Sequence, residues 1–250
     1  HLTLTSEFET HRWRPVNNTD AATGLTDDEG CFHRTAADLA EHAAPDAARD
    51  EMRAQVERAL QAGVDVTHLD THMFTAFMPQ FLPHYVELGR EFQLPALLLR
   101  FDDPACGLSA RAHDSQPEAW ARAAQIVRDA EAQGAPVFDR LAKMPLDRPE
   151  DRLTQAKMIF DAAPAGLTHF LIHPATDAPE LRAVTRDWPS RVADYETFTS
   201  AELRRHVKDS GVQLVGYRAL RDALRRSNRE TTVSLRGTDA WTSKSSAAMN

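Results

Sequence analysis

The feature that most constrains the fold is the alternation of short apolar segments with longer segments of helical period along most of the chain. Such alternation is typical of repeated βα units, in which each helix returns the chain to the start of the next parallel strand. The sequence therefore predicts an α/β fold with a parallel sheet. The predicted strands are Leu2–Thr5, Val64–Leu69, Ala96–Arg100, Pro136–Asp139, Thr168–Ile172 and Val212–Gly216.

Helix signals occupy several of the intervals between these strands. Thr35 begins a pattern that resembles a capping box and predicts a helix that Pro45 ends. A second helix is expected from about Asp46 to Gly63, and a third is expected to have Pro79 in its first turn. Further amphipathic helices are predicted over Pro117–Gln133, Pro149–Ala162 and Ser200–Ser210.

The length and hydrophobic content of the chain indicate one large domain. Its 250 residues, 42% of them hydrophobic, can bury a substantial core, and we interpret residues 1–226 as a single domain. Within it, Ser6–His33 has no sustained period but contains aromatic residues, which predicts a functional loop or flap. From Ser227 onward small, polar and charged residues predominate, so residues 227–250 are predicted to form a disordered tail.

The composition argues against several classes of partner. The net charge is −8 and the arginines are interspersed with acidic residues, so no basic surface is predicted for nucleic acid. No apolar run approaches the ~20 residues that a membrane-spanning helix requires. The two cysteines, Cys31 and Cys106, form neither a disulfide framework nor a zinc-type spacing. We therefore expect a reduced, cytoplasmic protein.

The segment Thr67–His72 holds two imidazoles and a carboxylate within five residues. These groups are typical ligands of hard or borderline divalent cations. The preceding residues Val64–Val66 favour a strand over a helix, and a strand places His68, Asp70 and His72 on one face. A polar strand end, whose histidines only bond to backbone groups, is equally compatible with this spacing.

Polar side chains also follow two other predicted strands, where Arg100 and His173 are found. Ligand sites in parallel α/β folds form at the carboxyl ends of the strands. Each residue alone is more typical of a structural hydrogen bond or salt bridge, but their shared position favours a metal site. Asp70 has two open roles: it could be a third ligand, or it could orient the imidazole of His72 through its other ring nitrogen.

Several stretches, in their order along the chain, resemble a known family. They are His1–Thr5, Arg12–Pro15, Gly30–Thr35, Thr67–Met73, Met78–Phe81, His173–Ala175 and Gly216–Arg218. Together they are similar to the YdjC-like carbohydrate deacetylases, which include chitooligosaccharide deacetylases and hopanoid-biosynthesis-associated members.

The resemblance implies an irregular (β/α) barrel related to polysaccharide deacetylases. It also implies one divalent metal ion, Mg²⁺ or Zn²⁺, held by an Asp and two His, and it assigns the histidines to His1 and His72. His68 becomes a supporting residue. The family Asp belongs to an Asp-Asp motif that ends a first strand, and this motif has no counterpart here. Asp27 and Asp28 look similar to it, but they lie downstream of His1 in a loop and follow no strand. We therefore expect a barrel whose first strand is missing.

The resemblance further implies a metal-dependent hydrolase that removes N-acetyl groups from an amino sugar or an oligosaccharide such as a chitooligosaccharide. His173 is expected to act as the general acid, and Asp70 to orient His72 or to assist proton transfer. Arg100, Arg12 and Trp13 are expected to bind the N-acetylated sugar.

The alternative function is that of a non-catalytic saccharide- or metal-binding protein, or of an inactive fragment that lacks the carboxylate ligand. Loss of a barrel strand would leave backbone hydrogen-bonding groups open, and such an edge favours pairing with another chain. A homodimer is therefore one expected assembly.

Overall fold

The computed structural model of the chain describes residues 1–17, 20–103, 106–107 and 117–229. Helices form most of the regular structure in these ranges. They are α1 (Ala36–His42), α2 (Pro45–Gln61), α3 (Leu82–Glu91), α4 (Pro117–Ala132), α5 (Arg152–Asp161), α6 (Pro179–Val184), α7 (Trp188–Thr199), α8 (Ala201–Asp209) and α9 (residues 217–229). Two strands, β1 (Arg140–Lys143) and β2 (Thr168–Leu171), and two 3₁₀ helices, Ala21–Thr23 and His72–Phe77, are also present.

Five extended segments lie side by side in the order in which the chain forms them. The last two are β1 and β2, which form a parallel ladder with Arg140 opposite Thr168. Isolated parallel bridges connect the other neighbours, namely Leu2 with Thr71, Leu69 with Ala96 and Leu99 with Phe138. The predicted α/β class with parallel pairing is therefore confirmed. The regular ladder of the described residues is limited to two strands and does not close, so the barrel stays a prediction.

Local chemistry accounts for the starts of α1 and α2 but not for the predicted start of α3. Thr35 Oγ1 accepts the backbone N–H of Asp38 at 3.1 Å, as the capping pattern predicts. Pro45 is the first residue of α2, where its missing N–H is of no consequence. The prediction for Pro79 is wrong, because α3 begins at Leu82 with a different proline in its first turn.

A single buried tyrosine links the core to the extended segments that carry the site. Tyr85 on α3 is fully buried, and its hydroxyl donates to the carbonyl oxygen of Leu69 at 2.7 Å. The same oxygen atom of Tyr85 accepts the backbone N–H of Leu97 at 3.0 Å. The hydroxyl therefore bonds to two neighbouring segments just before Asp70 and adds to the direct bond between them.

Other differences from the sequence predictions lie in the second half of the chain. Residues 212–216 form no strand, and α6 and α7 are helices that the periodicity does not indicate. Residues 227–229 belong to α9, whereas the rest of the predicted tail lies outside the described residues. None of the helices in the described ranges is long and apolar enough to cross a membrane.

Candidate functional site

Backbone pairing near the start of the chain brings three of the predicted site residues together. The N–H of Leu2 donates to the carbonyl oxygen of Asp70 at 2.9 Å, and the N–H of His72 donates to the carbonyl oxygen of Leu2 at 2.8 Å. This register places His1 beside the segment that carries Asp70 and His72. Both predicted metal ligands and one of the two predicted catalytic residues therefore lie in one cluster.

Four side chains of this cluster contact one another in the order Asp70, His1, His72 and Glu7, and we call them the imidazole row. Nδ1 of His1 donates to Oδ1 of Asp70 at 2.9 Å. Nε2 of His1 lies 3.3 Å from Nδ1 of His72, and the two rings meet edge to face. At the other end, Nε2 of His72 donates to Oε2 of Glu7 at 2.9 Å.

Each imidazole of the row is thus held by a carboxylate through one ring nitrogen and turns the other nitrogen towards the second imidazole. Proteins commonly orient metal-binding imidazoles in this way, because the carboxylate fixes both the tautomer and the ring position. Burial raises the pKa of the Glu7 carboxyl, but the hydrogen bond and the charge of His72 outweigh this effect and hold the pKa below its usual value. Glu7 is therefore an anionic acceptor at neutral pH.

The facing atoms, Nε2 of His1 and Nδ1 of His72, are the ligand atoms that could bind a divalent ion. Two imidazole nitrogens bound at ~2.0–2.1 Å to one tetrahedral Zn²⁺ lie about 3.3 Å apart. The observed separation is 3.3 Å, so the pair fits two positions around such an ion. Among the side chains that the structure describes, no group of three or more His, Cys, Asp or Glu is arranged for metal binding.

The backbone turns sharply immediately after His72. Met73 (φ 51°) and Phe74 (φ 56°) both lie in the left-handed region, which L-residues adopt only where surrounding contacts enforce it. Thr75 Oγ1 donates to the carbonyl oxygen of His72 at 3.0 Å, and Thr5 Oγ1 contacts Sδ of Met73 at 3.4 Å. These contacts hold the turn and, with it, the position of His72.

His173, the other predicted catalytic residue, follows β2 as expected. Its backbone N–H donates to Asp194 at 3.0 Å, and Asp194 forms a buried ion pair with Arg152. Burial, and then the charge of Arg191, lower the pKa of His173, and the charge of His72 lowers it further. The pKa of His173 therefore lies below its usual value, and the imidazole is neutral at pH 7. Its Nδ1 is buried and has no hydrogen-bond partner among the described residues.

Trp13, predicted to bind sugar, lies beside the imidazole row. Its ring centroid is 6.3 Å from that of His72, and the ring also packs edge to face against Phe8. The indole Nε1 is buried without a hydrogen-bond partner among the described residues. Trp13 therefore contributes an aromatic surface beside His72.

The two arginines predicted to bind sugar contact protein carboxylates instead. Arg12 is mostly buried and donates to Asp27 at 2.6 Å. Arg100 forms a two-pronged ion pair with Glu131, at 2.6 and 2.7 Å. Both guanidinium groups hold loops in the fold, and sugar binding by either residue stays a prediction that these contacts do not support.

His68 does not join the imidazole row. Its ring stacks on Tyr217 of α9, with centroids 3.8 Å apart and an interplanar angle of 6°. The Tyr217 hydroxyl in turn lies 2.9 Å from Nδ1 of His169 on β2. Burial lowers the pKa of both His68 and His169, so this second cluster is neutral at pH 7 and packs the last helix against the sheet.

One cavity in the described part of the chain lies away from this site. It has a volume of about 680 Å³ and is lined mostly by small and apolar residues of α3, α4 and α9, together with polar side chains such as those of Arg90 and Gln133. None of the imidazole row borders it, and its lining includes no imidazole or carboxylate. This cavity therefore lacks the imidazole and carboxylate groups that the imidazole row brings together.

Comparison with known proteins agrees with the motifs. The family model described as YdjC-like protein matches residues 1–209. The chain belongs to the YdjC-like protein family. The resemblance found in the sequence is thereby confirmed, and it extends over most of the fold and over all four residues of the imidazole row.

Two relatives illustrate the likeness of this YdjC-like chain to known sequences and structures. A carbohydrate deacetylase of Thermus thermophilus is 27% identical over 224 residues, which cover 90% of this chain and 77% of that protein. A crystal structure from Enterococcus faecalis V583, described as a cellobiose-phosphate cleavage protein, matches with a TM-score of 0.65 and 20% identity. The match covers 88% of this chain and 76% of that chain, and it shows a shared fold.

Glu7 is the site residue that sequence reasoning does not single out. It lies 65 residues before its partner His72, so no local spacing connects the two. The signal that could find it is its place two residues after the predicted strand Leu2–Thr5, at the same end of the sheet as His173. An acidic residue at that position is a candidate by the same reasoning that identified the other strand-end residues.

Proposed function

We propose that this YdjC-like chain is a metal-dependent hydrolase that removes an N-acetyl group from an amino sugar or a short oligosaccharide of the chitooligosaccharide type. The observation that carries the proposal is the facing pair of nitrogens in His1 and His72, each ring held from behind by a carboxylate. The 27% identity to a carbohydrate deacetylase supports the reaction class. We also propose that the parallel segments belong to an irregular (β/α) barrel.

His1 and His72 would hold the divalent ion, and Asp70 and Glu7 would orient them through the outer ring nitrogens. Such an ion, when bound, polarises a carbonyl group and lowers the pKa of a bound water towards ~7. A pair of imidazoles favours Zn²⁺ over Mg²⁺, because Mg²⁺ prefers oxygen ligands. Asp70 would orient His1 and not His72, the partner expected from the sequence, because its oxygen contacts the outer nitrogen of His1, whereas the outer nitrogen of His72 contacts Glu7.

His173 would handle the proton that moves during amide hydrolysis. Because burial lowers its pKa, the imidazole is neutral at pH 7 and takes up a proton before it can give one to the departing amine. Nδ1 is buried, so Nε2 is the nitrogen that could exchange a proton with a substrate. His173 would therefore act at a single atom, first as base and then as acid.

Trp13 would provide the surface for the sugar. Its ring lies beside His72, and its buried N–H has no partner among the described residues. The ring face could cover apolar sugar C–H groups. Of the three predicted sugar-binding residues, Trp13 is the one whose contacts leave it available.

A second candidate function is the binding of saccharide or metal without turnover. One observation favours it: the described residues offer two metal ligands rather than the three that catalytic zinc sites use. Both candidate functions predict metal binding, so a binding measurement does not distinguish them. Only the deacetylase predicts release of acetate.

The test is incubation of the chain with N,N′-diacetylchitobiose and Zn²⁺ or Mg²⁺, followed by enzymatic measurement of acetate. The deacetylase proposal predicts release that EDTA abolishes and that His72→Ala lowers at least ~100-fold. His206→Ala is the matched control, because that imidazole contacts Asp161 on α5 and lies outside the imidazole row. Saccharide binding by calorimetry without acetate from the unaltered chain would favour the second candidate.

A further inference from the structure

The contact between His72 and Glu7, at one end of the imidazole row, shows which ring nitrogen of His72 carries the proton. Nε2 of His72 and Oε2 of Glu7 are 2.9 Å apart, and both side chains are about three-quarters shielded from solvent, with 24% and 25% of their surface exposed. A carboxylate accepts but does not donate, so the hydrogen of this contact belongs to Nε2. When the His72 ring is neutral, Nδ1 is then left with a lone pair.

We propose that Glu7 is a positioning residue that fixes His72 in the tautomer with its proton on Nε2 and thereby presents Nδ1 towards His1. This inference rests on the proposed function, because Nδ1 is the atom of His72 that would bind the metal ion. A neutral imidazole that carried its proton on Nδ1 could not bind a cation there. Glu7 therefore selects the form of His72 that is competent to bind.

Glu7 can do this because the chain around it is anchored on its N-terminal side. The preceding residue, Ser6, is fully buried, and its N–H donates to the carbonyl oxygen of His33 at 2.8 Å. The Ser6 hydroxyl oxygen accepts the backbone N–H of Trp13 at 3.0 Å and Nε of Arg12 at 3.2 Å. These bonds hold the backbone immediately before Glu7 independently of His72.

Asp70 holds His1 in a comparable way, which makes the row nearly symmetric. Each ring is bonded to one carboxylate at 2.9 Å, and the contacting nitrogen is Nδ1 in His1 but Nε2 in His72. The row therefore predicts that His1 would bind through Nε2 and His72 through Nδ1. Neither choice follows from the spacing of residues in the sequence.

The first test reads the tautomer in the metal-free protein and needs no activity. Long-range ¹H–¹⁵N spectra of ring-labelled histidine, recorded about two pH units above the usual His pKa of ~6.5, distinguish protonated from bare ring nitrogens. We expect a protonated Nε2 on His72 in the unaltered chain and in Glu7→Gln, whose amide oxygen can still accept. In Glu7→Ala the proton should redistribute towards Nδ1.

The second test measures the binding of Zn²⁺ alone by calorimetry. Loss of a carboxylate behind a ligating imidazole typically weakens metal binding about 10- to 100-fold, and this loss is expected for Glu7→Ala, with partial rescue in Glu7→Gln. Glu9→Gln is the matched control, because Glu9 is an exposed acid in the same segment, and it should bind Zn²⁺ like the unaltered chain. Circular dichroism and the thermal midpoint establish that each variant is folded.

The outcomes separate this inference from the proposed function. If the unaltered chain shows the Nε2-protonated form but binds no Zn²⁺, the proposed function fails and the positioning role of Glu7 stands. If Glu7→Ala retains the tautomer of the unaltered chain, the positioning role is overturned, whatever happens to the Zn²⁺ affinity.

Discussion

Asp194 divides its two carboxylate oxygens between a buried arginine and the backbone of His173. Oδ1 accepts Nε of Arg152 at 2.7 Å, and Oδ2 accepts the N–H of His173 at 3.0 Å. The side chains of Arg152 and Asp194 are 3% and 0% exposed. The segment that carries the candidate proton-transfer residue is therefore held by an ion pair that water does not reach.

Removal of one partner of this pair should destabilise the fold strongly. Asp194→Ala leaves the Arg152 charge buried without its partner, which typically costs about 3–5 kcal/mol. The double variant Arg152→Met with Asp194→Leu should be less destabilised than Asp194→Ala, because it buries no charge. Urea unfolding of the three proteins measures this, and a free energy of unfolding for Asp194→Ala within about 1 kcal/mol of the unaltered chain would contradict the prediction.

Tyr85→Phe should cost much less, although Tyr85 is equally buried. The N–H of Leu97 also donates directly to the carbonyl oxygen of Leu69 at 2.8 Å, so both backbone groups keep a partner when the hydroxyl is removed. A net loss of about 1 kcal/mol is expected from the two hydrogen bonds of the hydroxyl. Urea unfolding should show an unchanged slope with a lower midpoint, and a loss as large as that of Asp194→Ala would show that the hydroxyl has a greater role.

Two glycines in the left-handed region should respond differently to alanine. Gly24 has a φ of 66° and Gly63 a φ of 77°, so at either position an alanine would add backbone strain of about 1–2 kcal/mol. A Cβ at Gly24 would also overlap the carbonyl oxygen of His42, whereas a Cβ at Gly63 would meet no atom within 4 Å. Gly24→Ala should therefore lower the thermal midpoint well beyond Gly63→Ala, and equal midpoints would refute the steric part of this argument.

Acid should remove the contribution of Asp27 to stability. Burial raises the pKa of Asp27, but the hydrogen bonds from Arg12 and from the backbone of Cys31 outweigh it, so the folded-state pKa lies below the usual 3.8. The unfolded chain then binds a proton more readily, so the stabilisation is present above about pH 3.8 and is lost as the pH falls through the folded-state value. The difference in thermal midpoint between the unaltered chain and Asp27→Asn should be full at about pH 7 and shrink below about pH 3.8; a difference that is constant with pH would contradict this assignment.

Much of the local structure can be predicted from neighbouring residues. The cap at Thr35, the helix over Pro117–Ala132 and the strand Thr168–Leu171 depend on side chains within one or two turns of each other, and periodicity reports such short-range preferences directly. The short helices α6 and α7 escape prediction because each begins near a proline and has little periodic apolar pattern of its own. For α7, the loop that follows β2 supplies tertiary contacts: the N–H groups of His173 and Ala175 donate to Asp194 and to the carbonyl oxygen of Arg191.

The sequence by itself determined the family, the parallel α/β class, and the candidacy of His1, Asp70, His72 and His173, because motifs and strand ends can be read along the chain. Only the tertiary structure decided which nitrogen faces which, that Glu7 completes the row, and that Arg12 and Arg100 are paired with acids. These relationships join residues up to 71 positions apart. They are set by the register of parallel segments and by burial, which depend on the packed core as a whole. The spacing of residues along the chain therefore does not predict them.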